Sequence, residues 1–563
     1  MTLLKEPDNS QMLKDIILSH PYAILALLLL SVFGTVFSLA TPLILGLLID
    51  NVLVSRETQL LVPILIAMSG IFLVSALANY LSNNIRGRLN LMLFKELAHD
   101  LFGVIQDASL KDLQKIKTGD LLTRTVVNTS MAVQTITSII PQIIVSVFSI
   151  ILPFFILFSI NPTLAVLSMS PVTLFIISSY YYGKKVKVFQ RQSLDSAAGM
   201  NSFLKEAFSI VPLTKVFMLE RWMHDRFDTH MSDYYNASWD VVKVSSMSTS
   251  LGMVIYGIPT LLVLTFGSMN VLKGSMSLGT FTVFMGYIGL FFSPVQMLSA
   301  LWANYKGSQA SFDRITEIFS LQKEVWGEKV LPSLVLKIEF EGIWFSYGAR
   351  AVLMDFHATF LMGRNYIIGD NGSGKTTLIK LLCGLYRPDK GTITIDDLDI
   401  SSLCKESLRK SISVVFSDAL VFDGSIYDNI LVGDLSASYE AVMDAAKKAE
   451  FHNFVMALPG RYETEVGESG LNLSSGERQK LALARVILRD SPVLIFDEFT
   501  KSIDAESKRS ILSVINKMDD KIVIIITHDN SEIDKDANHM YIGDTNPPVN
   551  KDSTVTGTKT QTV

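Results

Sequence analysis

The sequence predicts two folds in one chain: an α-helical six-span transmembrane domain, then an α/β P-loop nucleotide-binding domain with a helical subdomain. Three observations carry this. Apolar residues make up 49% of the 563 positions and are concentrated in the first 300, in six long runs. Gly369-Asp370-Asn371-Gly372-Ser373-Gly374-Lys375-Thr376-Thr377 fits the phosphate-binding pattern G-x-x-x-x-G-K-[ST]. Beyond residue 335, short apolar strand patterns alternate with helical ones, as a parallel sheet covered by helices requires.

The six runs lie near 21–48, 60–83, 133–160, 162–183, 246–270 and 279–303. Each is long enough to cross a bilayer, which takes roughly 20 residues. Mean hydropathy is +0.36, high for a soluble enzyme. A net charge of −5 supplies no basic face, which argues against nucleic acid as a partner. The two cysteines, Cys383 and Cys404, form no C-x-x-C, so reduced cytosolic thiols and no metal site are expected of them. The N-terminus carries both signs of charge without a small-residue cleavage site, which predicts a retained segment rather than a signal peptide.

Only Asn161-Pro162-Thr163 separates the third and fourth runs, a tight helical hairpin. Two long loops, about 85–130 and 184–243, hold most of the basic residues, among them Arg86, Lys95, Arg124, Lys187, Arg191 and Arg226. The remaining connections hold Arg56 and Lys273. The positive-inside rule therefore places the long loops, both chain ends and the P-loop in the cytoplasm of a multi-pass protein of the plasma (inner) membrane. Leu89, Leu93, Leu97 and Leu101 recur at helical spacing, so the spans are expected to continue as helices into the cytosol, with breaks at Asp107-Ala108-Ser109 and at Pro212. A short helix at each break is suited to lie across a neighbouring domain. Met253, Tyr256, Phe266, Met285, Tyr287, Phe291 and Phe292 crowd the last two spans. A cavity for apolar cargo and ordinary packing against lipid or helices both account for them. Asn79, Asn83 and Asn84 mark either a polar interior face or the headgroup level.

The sequence divides into a membrane domain (1–320), a linker (321–335), a nucleotide-binding domain (336–545) and a disordered tail (546–563) rich in Thr and Pro. Asn365–Ile368 reads as a strand entering the P-loop, and Leu378–Leu382 as the helix leaving it. Glycines turn backbone N–H groups toward a polyphosphate, and the helix N-terminus adds its positive end. In that role Gly369, Asn371, Gly372, Ser373, Gly374, Lys375, Thr376 and Thr377 form the nucleotide site for ATP, Lys375 holding the β/γ-phosphates and Thr376 ligating Mg²⁺. Val493–Phe496 is an apolar strand that ends in Asp497-Glu498. Two adjacent carboxylates there are costly without partners, which assigns Asp497 to Mg²⁺ and Glu498 to the water that attacks the γ-phosphate. A second apolar strand, Ile522–Ile526, ends near His528, placed to contact the γ-phosphate. Ser474 with Glu477 three residues on is a capping box opening a helix through Leu488. Read functionally, Ser474, Ser475, Gly476 and Glu477 form another phosphate site, one that would serve a second copy of the domain.

Six spans, a P-loop, the Ser474–Glu477 stretch, Asp-Glu and His528, in that order, resemble a half-size ABC exporter over nearly the whole chain. The resemblance implies that Thr118–Arg124 follows a first coupling helix, that Glu206–Glu220 is the second coupling region and that Val466-Gly467-Glu468 contacts such helices. It also implies that Tyr347 stacks on adenine and that two chains sandwich ATP between the P-loop of one and Ser474–Gly476 of the other. The partner is then a second copy or a related half-transporter. Three positions depart from the family pattern. Ser417 stands where a glutamine usually reaches Mg²⁺. Ser475 and Glu477 replace a glycine and a glutamine of the signature, Ser475 being strained if its φ must be positive. Phe499–Asp504 departs from its usual motif but keeps the final acid, Asp504. The expected activity is ATP-driven export of a hydrophobic or amphipathic cargo (peptide, lipid or drug) by alternating access. The altered signature loosely resembles exporters of small antibacterial peptides, though the absence of a preceding Cys/His peptidase segment predicts no leader cleavage. An ATP-gated channel or sensor without pumping is the alternative from another class.

Overall fold

A computed structural model describes residues 9–542 and 560–562, apart from 333, 349, 371, 418, 468–472, 500–504 and 529–536. The contacts divide the chain into two units, residues 1–106 with 116–321 and residues 107–115 with 322–563.

In the first unit, six helices among the described residues are long and apolar enough to cross a membrane: Pro21–Val54, Thr58–Asp107, Thr118–Ile160, Pro162–Ser209, Glu220–Leu272 and Leu278–Phe319. They outrun the apolar stretches because their charged continuations bury a core of their own. Leu89, Leu93, Leu97, Leu101 and Val104 repeat every three or four residues on one face. They pack with Ala132, Val133, Ile136, Phe312, Ile315 and Ile318. Arg124, nearly buried, pairs with Asp120 one turn away and with Glu317 at 2.5 Å, tying the third helix to the sixth. Asn161 ends one span and caps the next by accepting from Leu164 N at 3.0 Å, with Pro162 in the first turn. The second expected break is a separate helix, Val211–Val216, with Pro212 in its first turn. Gly279 sits where a Cβ would lie 2.2 Å from the Gly46 carbonyl, so only glycine lets the first and sixth helices touch there.

The first expected break belongs to the second unit. Ser109 caps the short helix Leu110–Leu113. Its backbone N donates to the Gln322 carbonyl at 2.8 Å, and Glu324 N donates to the Asp107 carbonyl at 3.0 Å. The stretch read as a linker is pinned along its length. Glu324 accepts from Arg409 at 2.8 Å, and Leu331 N donates to Ser407 Oγ at 2.8 Å. Burial alone would raise the Glu324 pKa, but the Arg409 guanidinium and Lys405 outweigh it and hold the carboxyl below its ordinary value.

Two large sheets dominate the nucleotide-binding unit, and among the described residues a third, two-stranded one pairs Gly424–Ser425 with Glu465–Val466. Lys337–Tyr347 pairs antiparallel with Arg350–Leu361 and Lys390–Ile395. The larger sheet is parallel and runs in the order Thr560–Thr562, Asn538–Ile542, Gly363–Gly369, Ile522–Thr527, Val493–Asp497, Ile412–Val415. Every residue of Val493–Asp497 and Ile522–Thr527 is buried, because both sheet faces are covered. Ile522, Ile524 and Ile526 pack into one core with the P-loop helix, whereas Val523 and Ile525 pack into the other with the helical subdomain. Of the tail expected to be disordered, 546–559 and 563 lie outside the described residues, and Thr560–Thr562 forms the edge strand.

Candidate functional site

The P-loop connects the strand Gly363–Gly369 to the helix Lys375–Leu382. Gly372 and Gly374 have φ of +86° and +101°, a left-handed backbone that side chains resist. Gly374 caps the helix, so the first-turn N–H groups face the loop. The Lys375 ammonium is 5% exposed and donates to the carbonyls of Gly369 and Asp370 at 2.6 and 2.9 Å. Thr377 is buried beside it. Ser373 Oγ is buried without a hydrogen-bond partner among the described residues. A buried hydroxyl left unpaired is costly, and a bound phosphate oxygen is the partner it lacks. Asn371 lies outside the described residues.

The parallel order of the sheet brings the expected catalytic groups to this loop. Thr376 Oγ1 donates to Asp497 Oδ2 at 3.1 Å. Asp497 is 4% exposed, and burial pushes its carboxyl above the ordinary value, only partly offset by the Thr376 hydroxyl. A hard cation would relieve that cost, so this oxygen pair fits Mg²⁺, which takes one or two protein oxygens and completes its shell with phosphate and water. Glu498 sits at φ +43°, its backbone N held by the Ile526 carbonyl at 3.0 Å. Its Oε1 lies 3.7 Å from Lys375 Nζ and 3.9 Å from His528 Nδ1. His528 is half exposed, so its imidazole faces the open side of the site.

Tyr347 is half-buried at the end of its strand, edge-on to Phe345 and Tyr386, with Lys380 Nζ 5.9 Å from the ring centre. Ser474–Glu477 forms the expected capping box: Glu477 N donates to Ser474 Oγ at 3.3 Å and Ser474 N to Glu477 Oε2 at 2.6 Å. Ser475 is the first residue of the helix Ser475–Arg489 and is not among the positive-φ residues, so the strain considered for a serine there does not arise. Gly476 is buried in the same turn. Ser417 is exposed, and its carbonyl accepts from Gln479 Nε2 at 2.9 Å. Gln479, which the sequence reading passed over, also donates to the Phe416 carbonyl at 3.3 Å and so ties the signature helix to the segment after the strand Ile412–Val415. The one signal for it was a polar residue on the helix face that continues with Ala482 and Leu483. Arg485 was missed too. It donates to the Leu420 and Asn429 carbonyls and to Asn429 Oδ1, and burial lowers its pKa to about 10. Glu468, 500–504 and Asp529 lie outside the described residues.

Residues 24–295 match the ABC transporter transmembrane region, and residues 355–501 match the ABC transporter family. The fold is that of a bacterial Atm1-family ABC exporter with ATP bound, at TM-score 0.79 and 22% identity over 93% of this chain and 94% of that one. The chain is a half-size ABC exporter. Among its relatives are an ATP-dependent lipid A-core flippase of Syntrophus aciditrophicus, 27% identical over 85% of this chain and 81% of that protein. A toxin RTX-III translocation ATP-binding protein of Actinobacillus pleuropneumoniae is 29% identical over 92% of this chain and 73% of that one. This exporter is an ATP-hydrolysing, multi-pass membrane protein.

On its cargo side, most of the aromatic and methionine residues singled out from sequence serve packing. Tyr287, Phe291 and Phe292 are buried, the Tyr287 hydroxyl donating to the Leu39 carbonyl. Met253 alone of that set lines a cleft of 1060 Å³ between the fourth, fifth and sixth helices. Asn79, Asn83 and Asn84 are exposed on the second helix.

Proposed function

We propose that two copies of this exporter form one pump in the cytoplasmic (inner) membrane, and that each ATP is bound by the P-loop of one copy and the Ser474–Glu477 stretch of the other. The observation that carries the chemical part is the convergence of Lys375, Thr376, Asp497, Glu498 and His528 within one loop and two strand ends. Lys375 exchanges its two carbonyl partners for phosphate oxygens. Thr376 and Asp497 would hold Mg²⁺, which supplies positive charge to the β- and γ-phosphates. Glu498 accepts a proton from the attacking water, and His528 orients the γ-phosphate from the open side. Tyr347 offers its ring to the adenine.

Dimerisation is supported by the exposed end of the second coupling region. Val211, Leu213, Val216, Phe217 and Met218 are 45–85% exposed on one short cytoplasmic knob. Apolar surface of that density calls for a partner. ATP drives transport only by binding the closed dimer better than the open one, and a site completed by a second copy meets that condition. The cargo is hydrophobic or amphipathic; the relatives' names include both a lipid flippase and a toxin translocator.

Complementation tests this arrangement. Lys375→Ala and Ser474→Arg chains should each be inactive alone, because both sites are damaged in either homodimer. Coexpressed and purified as a mixed dimer, they leave one site intact and should recover hydrolysis. A mixed dimer as inactive as its parents would contradict a site shared between identical copies.

A further inference from the structure

A cavity of 490 Å³ lies wholly within the nucleotide-binding unit, and none of the residues assigned above to ATP or Mg²⁺ lines it. Three stretches far apart in the chain enclose it: the short helix Leu110–Leu113 with its cap, residues 322–326, and the run from Gly384 to Ser401. Interiors are ordinarily packed without gaps of this size, and the volume falls in the range of small-molecule sites. One wall is aromatic, formed by Trp326, Phe345 and Tyr386. The Trp326 ring is held from three directions. Its Nε1 donates to Glu324 Oε2 at 3.2 Å, and the Arg409 guanidinium lies 5.0 Å from the ring centre. Gly384, at φ +65°, makes room for it, since a Cβ there would lie 2.6 Å from the indole. A ring fixed before anything binds loses little freedom on binding.

The other wall is positive. Lys111, Lys323 and Arg387 line it, together with two acids, Glu324 and Asp399. Both acids are engaged. Glu324 pairs with Arg409 and Lys405, and Asp399 Oδ1 accepts from Ser401 N at 2.7 Å. The cations are less well served. Lys323 reaches Asp107 only at 3.8 Å, and both are more than half exposed, so the pair is worth little. Arg387 donates to the Val325 carbonyl, which leaves its charge uncompensated. Lys111 has no acid partner among the described residues. Water alone would suit the cations but leave three rings facing it. An acyl chain would suit the rings and offer the cations nothing.

We propose that this cavity binds a small organic anion with a planar ring, the ring against Trp326, Phe345 and Tyr386 and the anionic group toward Lys111, Lys323 and Arg387. Ring-on-ring contact and charge-assisted hydrogen bonds are the two strong interactions these walls offer. Occupancy reaches the nucleotide site through Tyr386. Its ring lies edge-on to Tyr347 with centres 5.5 Å apart, and its hydroxyl donates to Gln114 Oε1 at the end of the short helix. A ligand packed on Tyr386 steadies the ring against which Tyr347 rests, so it should favour nucleotide binding, and nucleotide should favour the ligand by the same factor. This second step rests on the proposed stacking of adenine on Tyr347; the binding of the anion does not.

The test is equilibrium dialysis of the purified full chain, in nanodiscs of a neutral phospholipid, against 1-naphthyl phosphate with and without saturating ADP. The wild type should bind the probe saturably in both conditions, and ADP should tighten binding by about fivefold, the low end of coupling between sites. The double variant Lys111→Gln, Lys323→Gln should bind about tenfold more weakly, as the loss of two partly exposed charge contacts predicts. Ser401→Phe places a ring in the cavity from an exposed position and should abolish binding without removing a cation. No saturable binding, or equal binding by the wild type and both variants, overturns the site. Displacement of the probe by an equal concentration of inorganic phosphate overturns the aromatic class. Displacement by ADP would put the probe in the nucleotide site and overturns the proposal as well. Probe affinity indifferent to ADP would contradict the link through Tyr386, and with it the adenine on Tyr347, while the cavity site stands.

Discussion

The Thr376 hydroxyl donates to Asp497 Oδ2 across 3.1 Å, joining the first turn of the P-loop helix to the end of a strand two places away in the sheet. Asp497 is held there against its own preference. Its carboxyl keeps a proton more tightly in the fold than in the unfolded chain, and burial is the largest cause. Its contribution to stability is therefore fullest below the ordinary value of 3.8 and is lost as pH rises through the higher folded value. At neutral pH, Asp497→Asn should stabilise the nucleotide-free domain, raising its melting temperature by about 2–4 °C, the shift about 1 kcal/mol produces in a domain of this size. The same variant should lose Mg²⁺-dependent hydrolysis. A scanning calorimetry trace in which it melts below the wild type would contradict the account.

Ser475 begins its helix with an ordinary negative φ. Restoring the family's glycine therefore relieves no strain. Ser475→Gly should leave stability unchanged or lower it by up to about 1 kcal/mol, the helix cost of glycine. Chemical denaturation of the pair measures this; a clear stabilisation would mean that the serine is strained after all.

Arg124 is nearly buried, whereas its partner Glu317 is more than half exposed. Removing the acid leaves Arg124 still paired with Asp120, while removing the base forfeits both bonds and the packing of its stem. Arg124→Ala should cost about 1.5–3 kcal/mol, the worth of hydrogen bonds to charged groups, and Glu317→Ala clearly less. Thermal inactivation of ATP hydrolysis in the two variants gives the ranking.

Burial pushes the Cys383 thiol up to about 12, with Arg409 only partly opposing it. The thiolate is the reactive form, so Cys383, although partly exposed, should react with maleimide much more slowly at pH 7–9 in the folded protein than after denaturation. Peptide mapping after a short exposure checks it; rapid native labelling of Cys383 would show that the thiol is accessible.

The spans, the two long loops with their breaks and the P-loop were legible because each rests on local pattern. Apolar runs of membrane length, leucines at helical spacing and glycines before Lys375 need no partner to be read. Asp497, Glu498 and His528 were legible as polar residues ending strands that are otherwise wholly apolar. Their meeting at Lys375 depends on strand order, which periodicity does not encode. Gln479 and Arg485 were hidden because each bonds backbone carbonyls more than fifty residues away. The fixed contacts of the linker were not legible, because Glu324 and Leu331 are held by Arg409 and Ser407, 85 and 76 residues further along the chain.

The central claim is that this chain carries complete hydrolytic equipment, with Glu498 as the base. The most direct measurement is ATP turnover by the purified chain alone in lipid nanodiscs, beside Glu498→Gln. We expect steady Mg²⁺-dependent turnover in the wild type and a fall of about 10²–10⁴-fold in the variant, the usual contribution of a general base, with ATP still bound. Wild-type turnover that survives Glu498→Gln, or ATP bound without turnover by the wild-type chain, would contradict it.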